Sequence, residues 1–151
     1  MTIKSRSPRE TAATARALAK EILKYKKRDE AFVVGLVGNL GSGKTTFVQG
    51  FARGSGIRRH LPSPTFLIIR SYKLQTKNYK FLFHVDAYRL KKPRELEILG
   101  LKEIFSDPKN IVLIEWADKI GRLLPKKSLL INFRHVRREN ERIIKTGIRI
   151  G

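Results

Sequence analysis

Cysteine is absent from the 151 residues, which excludes a disulfide framework, a disulfide-linked partner and a thiolate zinc site. No apolar run approaches the ~18–20 residues that a membrane-spanning helix needs. The opening MTIKSRSPRE lacks the apolar stretch of a secretory leader, so the expected setting is the cytoplasm, with no membrane partner. Acidic residues are also scarce: 13 Asp and Glu stand against 33 Lys and Arg, a formal charge of +20. Between Ala31 and Val85 there is no acid at all, while Lys44, Arg53, Arg58, Arg59, Arg70, Lys73, Lys77 and Lys80 fall in that span. Such a charge implies attraction to polyanions, nucleic acid above all. A generally basic proteome gives the same composition, so charge alone names no function.

What is present suits one domain across residues 1–151, with 41% hydrophobic residues available for a core. Ala12, Ala15, Leu18, Ala19, Ile22 and Leu23 recur at three-to-four spacing, predicting an amphipathic helix from Pro8 to Tyr25. AFVVGLVG (Ala31–Gly38) reads as a buried parallel strand, being short, β-branched and apolar. A helix from Lys44 to Arg53 follows a glycine-rich turn. Strands are expected at Thr65–Tyr72 and Tyr79–Asp86 around a polar turn at Thr76–Asn78. Pro93 is placed to open a short helix ending at Gly100, with another at Leu101–Phe105. NIVLIEW (Asn110–Trp116) reads as a second buried strand, and Leu129–Phe133 with Arg142–Ile150 as a closing pair. Alternating helices and apolar strands, then hairpins, predict an α/β fold with a mostly parallel sheet and antiparallel additions.

The strongest signal is Gly38-Asn39-Leu40-Gly41-Ser42-Gly43-Lys44-Thr45, which fits the phosphate-binding pattern G-x-x-x-x-G-K-[ST] throughout. Glycines let the backbone curl until successive N–H groups face one concavity, and the helix that follows adds its positive end. In such a loop the lysine reaches the β- and γ-phosphates and the hydroxyl ligates Mg²⁺, which assigns those tasks to Lys44 and Thr45.

A phosphate loop also needs an acid at the end of a neighbouring strand, to hold the metal or orient the attacking water. The acid-poor sequence offers two: Asp86, ending FLFHVD, and Glu115, ending NIVLIE. Both fall where an apolar strand meets its C-terminal edge, the place where open α/β sheets bind ligands. The sequence does not rank them as inner metal ligand. A GTPase is disfavoured because N-K-x-D is missing. A compact ATPase, a small-molecule kinase and an RNA-binding module all remain open on these residues.

GNLGSGKTT, then SPTF (Ser63–Phe66), HVDAYR (His84–Arg89), ELEILGL (Glu95–Leu101) and IEWAD (Ile114–Asp118) together resemble the TsaE family, also called YjeE. The resemblance runs to about Pro125 and includes the opening helix. It implies the three-layer fold of P-loop nucleoside triphosphatases and an ATPase that is slow when isolated. It further implies a role in threonylcarbamoyladenosine modification of tRNA at position 37, through a nucleotide-dependent switch on the TsaB–TsaD heterodimer. By the same resemblance, Gly41, Ser42, Gly43, Lys44, Thr45 and Thr46 bind ATP, with Thr11 near the nucleotide. Thr45 and Glu115 hold Mg²⁺, Asp86 is needed for hydrolysis, and Ser63 and Thr65 form a switch. His84 and Tyr88 are expected to pack or hydrogen-bond around Asp86. Trp116 reads either as a buried anchor or as a partner-facing aromatic, and Arg142 is a guess for the adenine. Asn39 departs from the family, which usually has Asp there, and the chain is more basic than many members.

Overall fold

A computed structural model describes residues 2–25, 29–39, 41, 43–62, 69–92, 94–135 and 142–148, with His135 and the last seven described by their backbone. The chain begins with strand β1 (Thr2–Ser5) and helix α1 (Pro8–Lys24). Ser7 caps α1 by accepting from the Glu10 amide at 3.1 Å, while the Glu10 carboxylate accepts from the Arg6 amide at 2.7 Å. This reciprocal pairing, with Pro8 in the first turn, fixes where the helix starts. β2 (Phe32–Val37) leads through the glycine-rich loop into α2 (Lys44–Gly54). β3 (Ile69–Lys73), β4 (Phe81–Asp86), α3 (Arg94–Ile98), α4 (Leu101–Ser106) and β5 (Asn110–Glu115) follow. A 3₁₀ segment (Ala117–Leu123), broken at Gly121, leads to β6 (Leu129–His135) and β7 (Arg142–Ile148).

The seven strands form one sheet in the order β1-β7-β6-β2-β5-β4-β3. β6, β2, β5 and β4 are mutually parallel, and β3 and β7 join antiparallel at either side. β5 lies between β2 and β4 with all six residues buried, as its uninterrupted apolar run requires. On one face Val34, Leu36, Leu82, Leu113 and Ile131 pack against Phe47 and Phe51 of α2 and Ala15 and Ala19 of α1. On the other, Val33, Val85, Val112 and Ile114 pack against Leu96, Leu101 and Ile120. The result is the expected three-layer α/β arrangement with a mostly parallel sheet.

α1 and α2 lie unusually close. A Cβ on Gly50 would sit 2.3 Å from the Ala12 carbonyl oxygen, and one on Gly54 would sit 2.5 Å from that of Arg16. Gly50 facing Ala12 and Gly54 facing Arg16 means that the helices run parallel, their N-termini at the same edge of the sheet.

Several boundaries differ from those predicted. β1 is not legible in the sequence, because TIKS has a single apolar residue; it exists by pairing with β7, Thr2 opposite Lys145 through Ser5 opposite Arg142. The 3₁₀ segment was also missed, since a run this short has little periodicity to display. β4 starts at Phe81 instead of Tyr79, and β5 ends at Glu115 because Trp116 turns into the left-handed region. Leu40, Ser42, Ser63, Thr65 and Pro93 lie outside the described residues, as do the side chain of Arg142 and the last residues of the predicted strand to Ile150. No described helix is long and apolar enough to cross a membrane.

Candidate functional site

The loop after β2 is shaped by glycine. Gly38, Gly41 and Gly43 have φ of 155°, 74° and 101°, and at the last two a side chain would be strained. Gly43 immediately precedes α2, so Lys44, Thr45 and Thr46 form its first turn. Thr45 is exposed and Thr46 half-buried. Lys44 is only 4% exposed, and its ammonium donates back to the Gly38 carbonyl and, at 2.8 Å, to that of Asn39. Burial lowers the pKa of this ammonium, while Glu115, Asp118 and Asp86 oppose that shift.

Three carboxylates therefore lie within electrostatic reach of one buried lysine. Asp86 and Glu115 end neighbouring parallel strands in register, residue opposite residue, and so project from the same face. Glu115 is buried; Asp86 is partly so. Burial raises the pKa of Asp86 and the nearby Glu115 charge adds to the rise, while the Tyr88 amide, donating to Asp86 Oδ1 at 2.9 Å, opposes it.

His84 bonds to Glu115, contrary to the expectation that it would settle around Asp86: Nε2 donates to Glu115 Oε2 at 2.7 Å, with both side chains buried. The reason is strand geometry. His84 and Asp86 are two residues apart on one strand, on one face, and thus about 7 Å apart, whereas Glu115 projects beside them from β5. The carboxylate accepts, which puts a ring proton on Nε2; Nδ1 is buried without a partner among the described residues.

Trp116 is half-buried at the rim of the site. It is the only described non-glycine residue at positive φ, 58°, a conformation that costs an L-residue ~1–2 kcal/mol. That turn lays the indole over Lys44, whose Nζ is 4.1 Å from the ring centroid. Tyr88 packs on the same indole at 5.1 Å. Lys119 covers both rings, at 5.0 Å from Tyr88 and 5.3 Å from Trp116, and donates to the Tyr88 carbonyl at 2.5 Å. Asp118 stands in the IEWAD motif without a role assigned to it, and Lys119, the next residue, was not singled out.

Thr11 lies in the first turn of α1, near the edge that carries the loop. It is buried, and its hydroxyl pairs with Ser5 Oγ at 2.7 Å and donates to the Ser7 carbonyl at 3.3 Å. The structure thus gives it a role in joining β1 to α1. Gln49 of α2 makes two bonds to Leu61, donating to its carbonyl at 2.7 Å and accepting from its amide at 3.0 Å. This clamp ties α2 to the chain two residues before Ser63. Among the described residues no three His, Asp or Glu side chains gather in a metal-binding group.

Comparison with known proteins gives the family. The family profile described as Threonylcarbamoyl adenosine biosynthesis protein TsaE matches residues 5–144. The tRNA threonylcarbamoyladenosine biosynthesis protein TsaE of Bacillus subtilis is 38% identical over 142 residues, 94% of this chain and 82% of the relative. Its counterpart in Haemophilus influenzae is 38% identical over 112 residues, 74% of this chain and 68% of the relative. The crystal structure of Bacillus subtilis YdiB superposes with a TM-score of 0.74 at 32% identity, covering 98% of this chain and 85% of that one. By its sequence over nearly its whole length, and by its fold, the chain belongs to the TsaE family.

Proposed function

We propose that this chain binds ATP with Mg²⁺ at the loop preceding α2 and hydrolyses it as an accessory to tRNA threonylcarbamoyladenosine biosynthesis, acting on the TsaB–TsaD heterodimer through a nucleotide-dependent switch. The observation that carries this reading is one juxtaposition: a glycine-curled loop and buried Lys44 face two strand-end carboxylates held in register.

The residues fit a triphosphate and its metal. Gly41 and Gly43 turn the loop so that it can wrap phosphate oxygens, Ser42 is assigned there by the family pattern, and Lys44 already holds two loop carbonyls with the ammonium that phosphate would claim. The exposed Thr45 hydroxyl and the Glu115 carboxylate are hard oxygen donors, few enough that Mg²⁺ would keep waters and take its remaining ligands from phosphate. When bound, Mg²⁺ neutralises charge developing on the phosphates. His84 fixes the Glu115 carboxylate, so that it need not reorganise when it acts as a ligand. Asp86, made more basic by burial, is suited to accept a hydrogen bond from an attacking water. By the family pattern Thr46 also binds the nucleotide, with Thr11 near it.

Ser63 and Thr65 are the switch residues in this reading, and the Gln49–Leu61 clamp couples their segment to the helix that begins at the phosphates. The net charge of +20 suits contact with tRNA.

The test is ATP turnover by the purified chain, alone and with TsaB–TsaD. Slow turnover alone, strongly changed by the pair, is expected. Turnover indifferent to the pair would remove the partner from the account. ADP release that depends on an added phosphate acceptor would replace the ATPase with a kinase.

A further inference from the structure

At the opposite edge of the sheet from the phosphate loop, about 16 Å along α2, lies a second concavity of about 740 Å³. It opens between the turn that ends α2 and the end of β3, with Gly56, Arg58, Arg59, Tyr72, Lys73 and Thr76 among its lining residues. Three of these are cationic and none of the lining is acidic. Arg58, Arg59 and Lys73 are exposed and make no ion pair with any described acid. Cations that merely balanced protein charge would have acids beside them. Here the whole span from Ala31 to Val85, which supplies nearly all of the lining, has none.

The cleft holds more than point charges. The Arg59 guanidinium lies over the Tyr72 ring at 5.0 Å, giving a planar cation backed by an aromatic face. Tyr72 is 4% exposed, so its ring is held in place beneath the guanidinium. Gly56, at φ 90°, has open space where a side chain would stand, so a ligand can approach the backbone. Cations along a groove with a stacking platform are the two features by which proteins grip single-stranded or looped RNA.

We infer that this cleft is an RNA-binding site, in which Arg58 and Lys73 contact phosphates and the Arg59–Tyr72 pair takes a base or ribose. The inference rests on the tRNA role proposed above and adds a place for the contact, remote from the phosphate loop. Binding of an unmodified transcribed tRNA, measured by filter retention over a range of salt concentrations, tests it. The triple variant Arg58→Ala, Arg59→Ala, Lys73→Ala is expected to bind at least about tenfold more weakly than the intact chain. Its log–log salt slope should be shallower by roughly two to three. Removing three exposed charges elsewhere (Lys91→Ala, Lys92→Ala, Lys126→Ala) should change affinity far less. Equal weakening in both triple variants, no tRNA binding by the intact chain, or inorganic triphosphate matching tRNA in affinity would each overturn the site. ATP turnover measured on the same preparations separates the two claims. Turnover lost in Lys44→Ala while the cleft variant keeps its tRNA affinity would refute the cleft alone. The reverse pattern would refute the ATPase reading alone.

Discussion

Asp86 shows how a residue suited to function works against stability. Its carboxylate is partly desolvated beside Glu115, and its pKa in the fold lies above the ordinary value of 3.8. The folded state therefore holds this proton more tightly than the unfolded chain, and stability falls as pH rises from 3.8 through the folded value. At neutral pH the penalty is fully present. Asp86→Asn should accordingly melt at a higher temperature than the parent at pH 7 and lose that advantage below pH 3.8, while ATP turnover is abolished. Thermal unfolding followed by circular dichroism across pH checks the sign, and a variant less stable at pH 7 would contradict it. His84 makes a different prediction. Because it holds Glu115, His84→Ala should raise the Mg²⁺ concentration for half-maximal turnover by ~10–100-fold, with metal-free nucleotide affinity unchanged. A Mg²⁺ titration unaffected by the substitution would mean that the contact is only structural. The sequence made Lys44, Asp86 and Glu115 legible, since a motif and two strand ends mark them. The His84–Glu115 bond was not legible, because it depends on which strands are neighbours.

At the scale of elements, the closest fit is that of α1 on α2. Gly50→Ala would gain about 1 kcal/mol of helix propensity. However, the new methyl would meet the Ala12 backbone within 3 Å at three atoms, and backbone cannot rotate away as a side chain can. Overpacking of this kind costs typically 1–3 kcal/mol, so the net expectation is destabilisation, several degrees in Tm for a chain of this size. An unchanged Tm would show that the helices separate freely. Long periodic elements such as α1 and buried runs such as β2 and β5 were legible within one or two residues. β1 was not, because four mainly polar residues become a strand only when β7 supplies the partner. The left-handed turn at Trp116 was equally hidden, since nothing local demands it. It is stabilised by Lys44, Tyr88 and Lys119 packing on the indole.

Across the whole molecule, α2 links two ends of different chemistry. At its N-terminus a lysine is surrounded by the few acids near the sheet edge, and at its C-terminus cations stand without acids. The composition revealed the excess of positive charge but not this division, which appears only when β3 folds back beside the end of α2. The two ends should therefore respond differently to salt. Between about 50 and 200 mM salt, tRNA affinity is expected to drop steeply as counterion release weakens. ATP turnover, governed by buried and short-range contacts, should change little. Parallel loss of both would place nucleotide and RNA on one surface.

In the proposed function Lys44, facing Asp86 and Glu115, forms a working nucleotide site. The rate of ATP hydrolysis by the intact chain and by Lys44→Ala and Glu115→Ala, each with its circular-dichroism spectrum as a check on folding, tests it most directly. Both variants are expected to fold and neither to turn over ATP; a folded variant hydrolysing ATP at the parent rate would rule the site out.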